Sequence, residues 1–192
     1  RICRCAAPLY GEHEARQIAQ MIVLAKGGIS RNDLLIEPDK ELIIEGLEDI
    51  LQELESWRPV QYIIGHTDFC DMELEVAEGV LIPRPETEEL VQWIASESPS
   101  NAAILDIGTG SGCIAIALKH RAPQWYVMGI DISSEALEVA RDNAQRNGVE
   151  VEWQQLDILD KNLETKDDWQ WDIVVSNPPY ICHREKASMQ PR

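Results

Sequence analysis

Two different apolar periods divide this chain. In GEHEARQIAQMIVLA, Ala15, Ile18, Ala19, Ile22 and Val23 recur near helical spacing, and Gly27 and Gly28 close the segment. PDKELIIEGLEDILQELESW predicts a further helix, starting at Pro38, with Leu42, Ile43, Leu47, Ile50, Leu51 and Leu54 on one face. Pro59 breaks that regime. VQYIIGHTDF and MELEVAEGVLIP partly alternate apolar with polar residues, with Gly65 and Asp71 near turns, which predicts a β-hairpin. RPETEELVQWIASES then predicts a helix. Pro85 lies near its start, and Glu86, Glu88 and Glu89 suit the positive end of its dipole.

From residue 102 the two periods alternate. AAILDIG, YVMGIDI, VEWQQLD and WDIVVSN read as strands; GCIAIALKHRA and SSEALEVARDNAQRNG read as helices, the latter capped by Ser133 or Ser134 and ended by Gly148. Such alternation predicts an α/β fold with a parallel, doubly wound sheet. The expected organisation is a helical domain over 1–58, a hairpin linker over 59–83 and the α/β domain over 84–192. Four strands are fewer than such a domain usually has, so an incomplete domain lacking C-terminal strands is expected.

Composition narrows the partners. The chain is 44% hydrophobic and 27% charged, with net charge −17. Residues 1–58 carry 7 Lys+Arg against 11 Asp+Glu, and residues 59–192 carry 10 against 23. Neither part has the basic surplus that phosphate contacts require, so nucleic acid is not the expected partner. The run Ile18–Ala25 is too short to span a bilayer, and the N-terminus lacks the apolar core of a signal peptide. Five cysteines, an odd count without a CxxC pair, favour reduced thiols in a cytoplasm over disulfides or a metal site.

The chemistry concentrates where strands end. LDIGTGSGCIAIAL follows the first parallel strand, and Gly108, Gly110 and Gly112 allow a tight turn and close approach of a ligand. The spacing G-x-G-x-G after Asp106 departs from the dinucleotide fingerprint, with Cys113 following the last glycine. A bare glycine turn with no ligand is the alternative, which the strand and helix on either side disfavour. Asp131, at the end of the second strand, suits two ribose hydroxyls, or else a helix cap. Asp157 and Ile158 follow the third strand, where an adenine amino group and ring face would lie; capping or packing explains them equally well.

NPPY follows the fourth strand, and in open α/β sheets ligands bind beyond the carboxyl ends of the strands. Asn177 offers a side-chain carbonyl and Pro178 a backbone carbonyl, two acceptors matching the two N–H groups of a planar NH2. Proline fixes its own φ, so the acceptors are preset. Tyr180 supplies a flat face for the planar group. Two preset acceptors position such a group without a strong general base, so no catalytic histidine is sought. His66, His120 and His183 read as surface or packing residues.

The glycine loop resembles that of S-adenosylmethionine-dependent methyltransferases, in which Asp106 would help hold the ammonium end, directly or through water. DIGTGSG, NPPY and the upstream LIPRPETEELV together resemble the HemK/PrmC methyltransferases over nearly the whole chain. APLYGEHEARQIA is similar to that family's helical N-terminal domain and RPVQYIIGHTDF to its interdomain hairpin. The resemblance implies a Rossmann-like class I methyltransferase domain. It also implies methyl transfer from S-adenosyl-L-methionine, leaving S-adenosyl-L-homocysteine, to the glutamine amide of the Gly-Gly-Gln loop of peptide-chain release factors. Residues 1–58 would dock the release factor, and the protein would be a cytoplasmic monomer. Gly108, Thr109, Gly110, Ser111, Gly112 and Asp131 match the cofactor site, and Asn177 would meet both cofactor and substrate. Pro178, Pro179 and Tyr180 would complete the glutamine pocket. Arg84, Glu86 and Thr87 match the family signature, or merely start a helix. DNA amino-methyltransferases share NPPY and remain an alternative, as does an inactive cofactor-binding module.

Overall fold

Gly11, at φ 82°, separates helix α1 (Ile2–Tyr10) from α2 (Glu12–Lys26) in the computed structural model, which describes residues 1–37, 40–161 and 170–178. Its N–H donates to the Ala7 carbonyl and closes α1. The periodicity does not reveal α1, which is short and carries Pro8 inside it. Helix α3 (Arg31–Ile36) is also absent from the sequence reading. It begins with a capping box in which Ser30 Oγ accepts from Asp33 N–H and the Asp33 carboxylate accepts from Ser30 N–H.

The helix expected from Pro38 is shorter than its pattern. Helix α4 spans only Leu47–Glu55, because Gly46 takes a left-handed conformation and starts it late. Ile43 is 97% exposed, so it does not share the buried face with Ile50 and Leu54. The expected hairpin also begins later. Val60–Ile64 forms helix α5, stopped by Gly65 at φ 90°. Val60 and Ile64 are both buried, a spacing of one helical turn that outweighs the partial alternation. Ile2, Ile18, Ile22, Ile50, Leu54, Val60 and Ile64 form one core. Helices this short are marginal alone, so this burial, about 1.5–3 kcal/mol for each fully buried Ile or Leu, holds them. Tyr10 adds a hydrogen bond from its hydroxyl to the Leu54 carbonyl.

These helices form one compact unit, Arg1–Gly65, and a second unit begins at His66. It opens with a hairpin of β1 (His66–Phe69) and β2 (Met72–Glu75). The two turn residues, Cys70 and Asp71, both have positive φ, as tight hairpin turns require. Helix α6 (Pro85–Glu97) follows, and then the parallel elements β3 (Ala103–Ile107), α7 (Cys113–Arg121), β4 (Tyr126–Asp131), α8 (Ser134–Arg146), β5 (Glu152–Gln155) and β6 (Ile173–Ser176). Ser133, rather than Ser134, caps α8, its hydroxyl accepting from Ala136 N–H.

The sheet order is β5-β4-β3-β6, all parallel. The chain therefore runs outward from β3 in one direction and returns to β3's other side with β6. That reversal opens a crevice at the carboxyl ends of β3 and β6. Ile104 and Val127 face a core with Ile116, Leu118, Phe69 and Leu74, while Leu105, Met128 and Ile130 form a second cluster with Leu156 and Trp171. Burial of both sets explains why these strands read as nearly continuous apolar runs. Among the described residues, no helix is long and apolar enough to cross a membrane.

Candidate cofactor and substrate site

The loop after β3 is bound to its neighbour strand before any ligand is considered. Gly108 and Thr109 both donate their N–H groups to the Ile130 carbonyl, at 2.9 and 3.0 Å. Gly110 N–H donates to Asp131 Oδ2 at 2.9 Å, and Ser133 N–H donates to Asp131 Oδ1 at 3.0 Å. Asp131 thus ties the glycine loop to the entry of α8. A carboxylate has roughly four acceptor positions, so these two bonds fix its plane and leave capacity for ligand hydroxyls.

The glycines divide by role. A Cβ at Gly112 would lie 2.9 Å from Ile116 Cδ1 and from Trp153 Cη2, and 3.1 Å from Ala140 Cβ. Gly112 is needed for packing under the loop. A Cβ at Gly108 would meet no described heavy atom within 4 Å, and its φ is 69°. Among the described residues, Gly108 thus borders open space at the carboxyl edge of the sheet.

Asp106 sits beneath the loop, only 1% exposed. Thr109 Oγ1 donates to its Oδ2 at 2.6 Å. Burial pushes its carboxyl up to about 6; the Thr109 hydroxyl and the Ala115 N–H oppose that shift, and the charge of Asp131 adds to it. This position makes Asp106 an internal brace of the turn, so any reach to a ligand ammonium runs through the loop or a water. Ser111, also buried, follows Gly110 in the same turn. The four described cysteines are free thiols, and burial pushes Cys113 up to about 12 and Cys70 up to about 11, far from thiolate chemistry.

Asp157 and Ile158 follow β5, whose register sets Gln155 opposite Asp131. Asp157 is exposed and caps its own turn, Oδ1 accepting from Leu159 N–H at 2.9 Å. Ile158 is 38% exposed.

Register also places Asn177. Ser176 pairs with Ile107, and its hydroxyl donates to the Ile107 carbonyl at 2.8 Å, so Asn177 follows β6 as Gly108 follows β3. Asn177 Nδ2 donates to Thr87 Oγ1 at 3.1 Å. Thr87 is buried in the first turn of α6, and its N–H donates to the Arg84 carbonyl. Arg84 occupies the N-cap position without a side-chain cap bond. Glu88, one residue beyond Thr87, accepts from Cys70 N–H in the hairpin turn. Pro178 is exposed; Pro179 and Tyr180 lie outside the described residues.

One participant escapes the sequence reading. Asn143 of α8 is fully buried, accepting from Glu75 N–H at 2.6 Å and donating to the carbonyls of Glu75 and Ser111 at 3.0 Å each. Its only signal is an amide within the apolar stripe Ala136, Leu137, Ala140 and Ala144.

A parallel sheet that reverses at β3, a glycine loop held by a strand-end aspartate, and an asparagine beyond β6 define a Rossmann-like class I methyltransferase domain. The chain belongs to the methyltransferase small domain family, whose model matches residues 85–190. It is 42% identical over 193 residues to the release factor glutamine methyltransferase of Flavobacterium psychrophilum, covering 95% of this chain and 66% of that protein. It is 44% identical over 160 residues to the release factor glutamine methyltransferase of Streptococcus pneumoniae, covering 83% and 54% respectively. The corresponding protein of Lactococcus lactis is 47% identical over 152 residues, covering 79% and 54%. The chain thus spans between about half and two thirds of the length of these relatives.

Proposed function

We propose that this protein methylates the side-chain amide nitrogen of the glutamine in the Gly-Gly-Gln loop of peptide-chain release factors, using S-adenosyl-L-methionine. The observation that carries this reading is Asn177, placed beside Gly108 by strand register with its carboxamide engaged by Thr87. Similarity to proteins named release factor glutamine methyltransferase supports the choice of substrate. The residues present fit the cofactor: no described atom crowds the backbone at Gly108, and the Asp131 carboxylate, its plane fixed by two N–H donors, keeps acceptor capacity for ribose hydroxyls.

When bound, S-adenosylmethionine supplies an electrophilic methyl group. The protein's part is positioning. Gly108 to Gly112 and Asp131 hold the donor, with Asp157 and Ile158 at the adenine end. The Asn177 side-chain carbonyl and the Pro178 backbone carbonyl accept the two N–H groups of the substrate amide, with Pro179 and Tyr180 enclosing it. The amide nitrogen is thereby aimed in line, and it sheds one proton to solvent as it is methylated. Orientation of this kind is worth roughly 7–11 kcal/mol of barrier, which suffices without a strong base. The net charge of −17 suits a protein substrate better than a phosphate backbone, and residues 1–58 are the segment assigned to docking, in a cytoplasmic monomer.

The test supplies radiolabelled S-adenosylmethionine with a release factor, its loop Gln→Ala variant and duplex DNA. Label on the unmodified factor alone is expected. Label on DNA instead, or equal label on the Gln→Ala variant, overturns the assignment.

A further inference from the structure

Gly129 sits inside β4, paired with Asp106 on one side and Trp153 on the other, and no positive φ requires a glycine there. A glycine in a strand interior costs conformational entropy and offers no side chain to pack, so it marks a place that something else fills. Here the filler is the Trp153 indole. A Cβ at Gly129 would lie 2.4 Å from Trp153 Cζ3, 2.6 Å from its Cε3 and 3.0 Å from Thr109 Oγ1.

The same ring reaches the glycine loop. A Cβ at Gly112 would lie 2.9 Å from Trp153 Cη2. Two glycines, one in a strand and one at the N-cap of α7, thus make room for one side chain. Register puts Val175, Asp106, Gly129 and Trp153 in one row across the sheet, on the face that carries α7 and α8. The indole therefore lies over Gly129 and extends to Gly112. Thr109 Oγ1 borders the same space above Gly129, and its hydrogen bond to Asp106 braces the loop from within. An aromatic ring is flat and rigid, so it sets a height that a flexible apolar chain would not.

We propose that Trp153 is a positioning residue for the cofactor: its indole is the floor on which the glycine loop rests, and Gly129 and Gly112 are the clearances that let it lie there. It acts through the loop rather than by touching the donor. The hydrogen bonds to Ile130 and Asp131 hold the first half of the loop, Gly108 to Gly110, and the indole supports the second half at Gly112. This rests on the reading of Gly108 to Gly112 as the S-adenosylmethionine loop.

The experiment compares Trp153→Leu, which keeps an apolar chain and loses the ring, with Trp153→Phe, which keeps a flat ring, and with Gly129→Ala, which pushes the ring off the sheet. S-adenosylmethionine affinity is measured by calorimetric titration. The Gly110 amide resonance, assigned by its loss in Gly110→Ala, is followed in the ligand-free protein. Trp153→Leu is expected to shift that resonance and to weaken binding about tenfold, as displacement of a preorganised loop does. Trp153→Phe is expected to recover most of the affinity. Gly129→Ala should match Trp153→Leu in the wild-type background but cost less than about twofold more in the Trp153→Leu background, because the ring it strikes is gone. A tryptophan that merely filled the core would lower stability and leave the affinity of the folded protein unmoved. Unchanged affinity and an unmoved Gly110 resonance in Trp153→Leu, or losses from Trp153→Leu and Gly129→Ala that simply add, overturn the proposal. Should Gly129→Ala not fold, Trp153→Leu against Trp153→Phe decides. Should the wild type bind no S-adenosylmethionine, the reading of the loop falls by itself, and the Gly110 resonance alone then decides the role of Trp153.

Discussion

Asn143 donates to the carbonyl of Ser111 at 3.0 Å while the same carboxamide accepts from Glu75 N–H at 2.6 Å, so one side chain of α8 joins the glycine loop to the hairpin. It treats Glu75 as a neighbouring strand would, since it also donates to the Glu75 carbonyl. Two further α8 residues support this grip: Asn147 donates to the Glu73 carbonyl at 3.1 Å, and Arg146 pairs with the Glu75 carboxylate at 2.6 Å. Asn143→Ala would strand buried backbone groups at both ends. The expected cost is about 2–4 kcal/mol of stability, together with weaker cofactor binding as Ser111 loosens. Urea denaturation and calorimetric titration check the two effects. A variant with wild-type stability would remove Asn143 from the account.

Gly108 and Gly112 should separate when each is changed to alanine. Both have positive φ, so each substitution carries a backbone cost of about 1 kcal/mol. Gly112→Ala adds contacts of 2.9 Å with Ile116 and Trp153, so overpacking brings its total to about 2–4 kcal/mol. Gly108→Ala meets no described atom, and its main expected effect is lost affinity for S-adenosylmethionine at nearly normal stability. Thermal melts and binding isotherms of the pair test this. Equal melting temperatures for the two variants would contradict the division of roles.

What the sequence shows of this site depends on the range of the interactions involved. Strands β3 and β4 and the loop between β3 and α7 are visible because burial on both faces and three closely spaced glycines are local signals. Helix α5 is hidden because Val60 and Ile64 span one turn between a proline and a glycine, too short to establish a period. The late start of α4 depends on the left-handed conformation of Gly46, which composition alone does not impose. Asn143 is hidden for another reason: its partners Glu75 and Ser111 lie 68 and 32 positions away, so nothing nearby distinguishes it from an ordinary helical amide. Thr87 is singled out by the PRPETE signature, but its contact with Asn177, 90 positions away, leaves no local sign.

Asp106 gives the fold a pH dependence of unusual sign. Its folded value, about 6, lies above the ordinary 3.8, chiefly through burial. Below 3.8 both folded and unfolded states hold the proton, and no penalty exists. Between 3.8 and about 6 the unfolded chain releases its proton first, so stability falls as pH rises. Above 6 the penalty is complete and constant. Asp106→Asn cannot ionise. Relative to that variant, the wild type should lose on the order of 3 kcal/mol between pH 4 and pH 7. Urea unfolding of both proteins across that range checks it. A constant difference would mean that Asp106 titrates normally in the folded state.

Asp131 is the remaining test of the cofactor site, because its structural and binding duties can be separated. Its two oxygens accept from Gly110 and Ser133, and each such bond to a charged acceptor is worth about 1.5–3 kcal/mol. Asp131→Asn keeps the shape but has one acceptor atom in place of two, and its NH2 would face either Gly110 N–H or Ser133 N–H. Glycine-loop order should therefore decline together with affinity, and S-adenosylmethionine should bind at least tenfold more weakly. Asp131→Glu retains the charge but displaces it by a methylene, so it should not rescue binding. The two variants distinguish a placed carboxylate from a merely negative crevice. If charge alone attracted the cationic donor, the glutamate variant would bind nearly as well as the wild type. Calorimetric titration at two salt concentrations completes the argument: a placed bidentate contact is little screened, whereas a general field weakens as the Debye length falls from about 10 to 3 Å between 0.1 and 1 M salt.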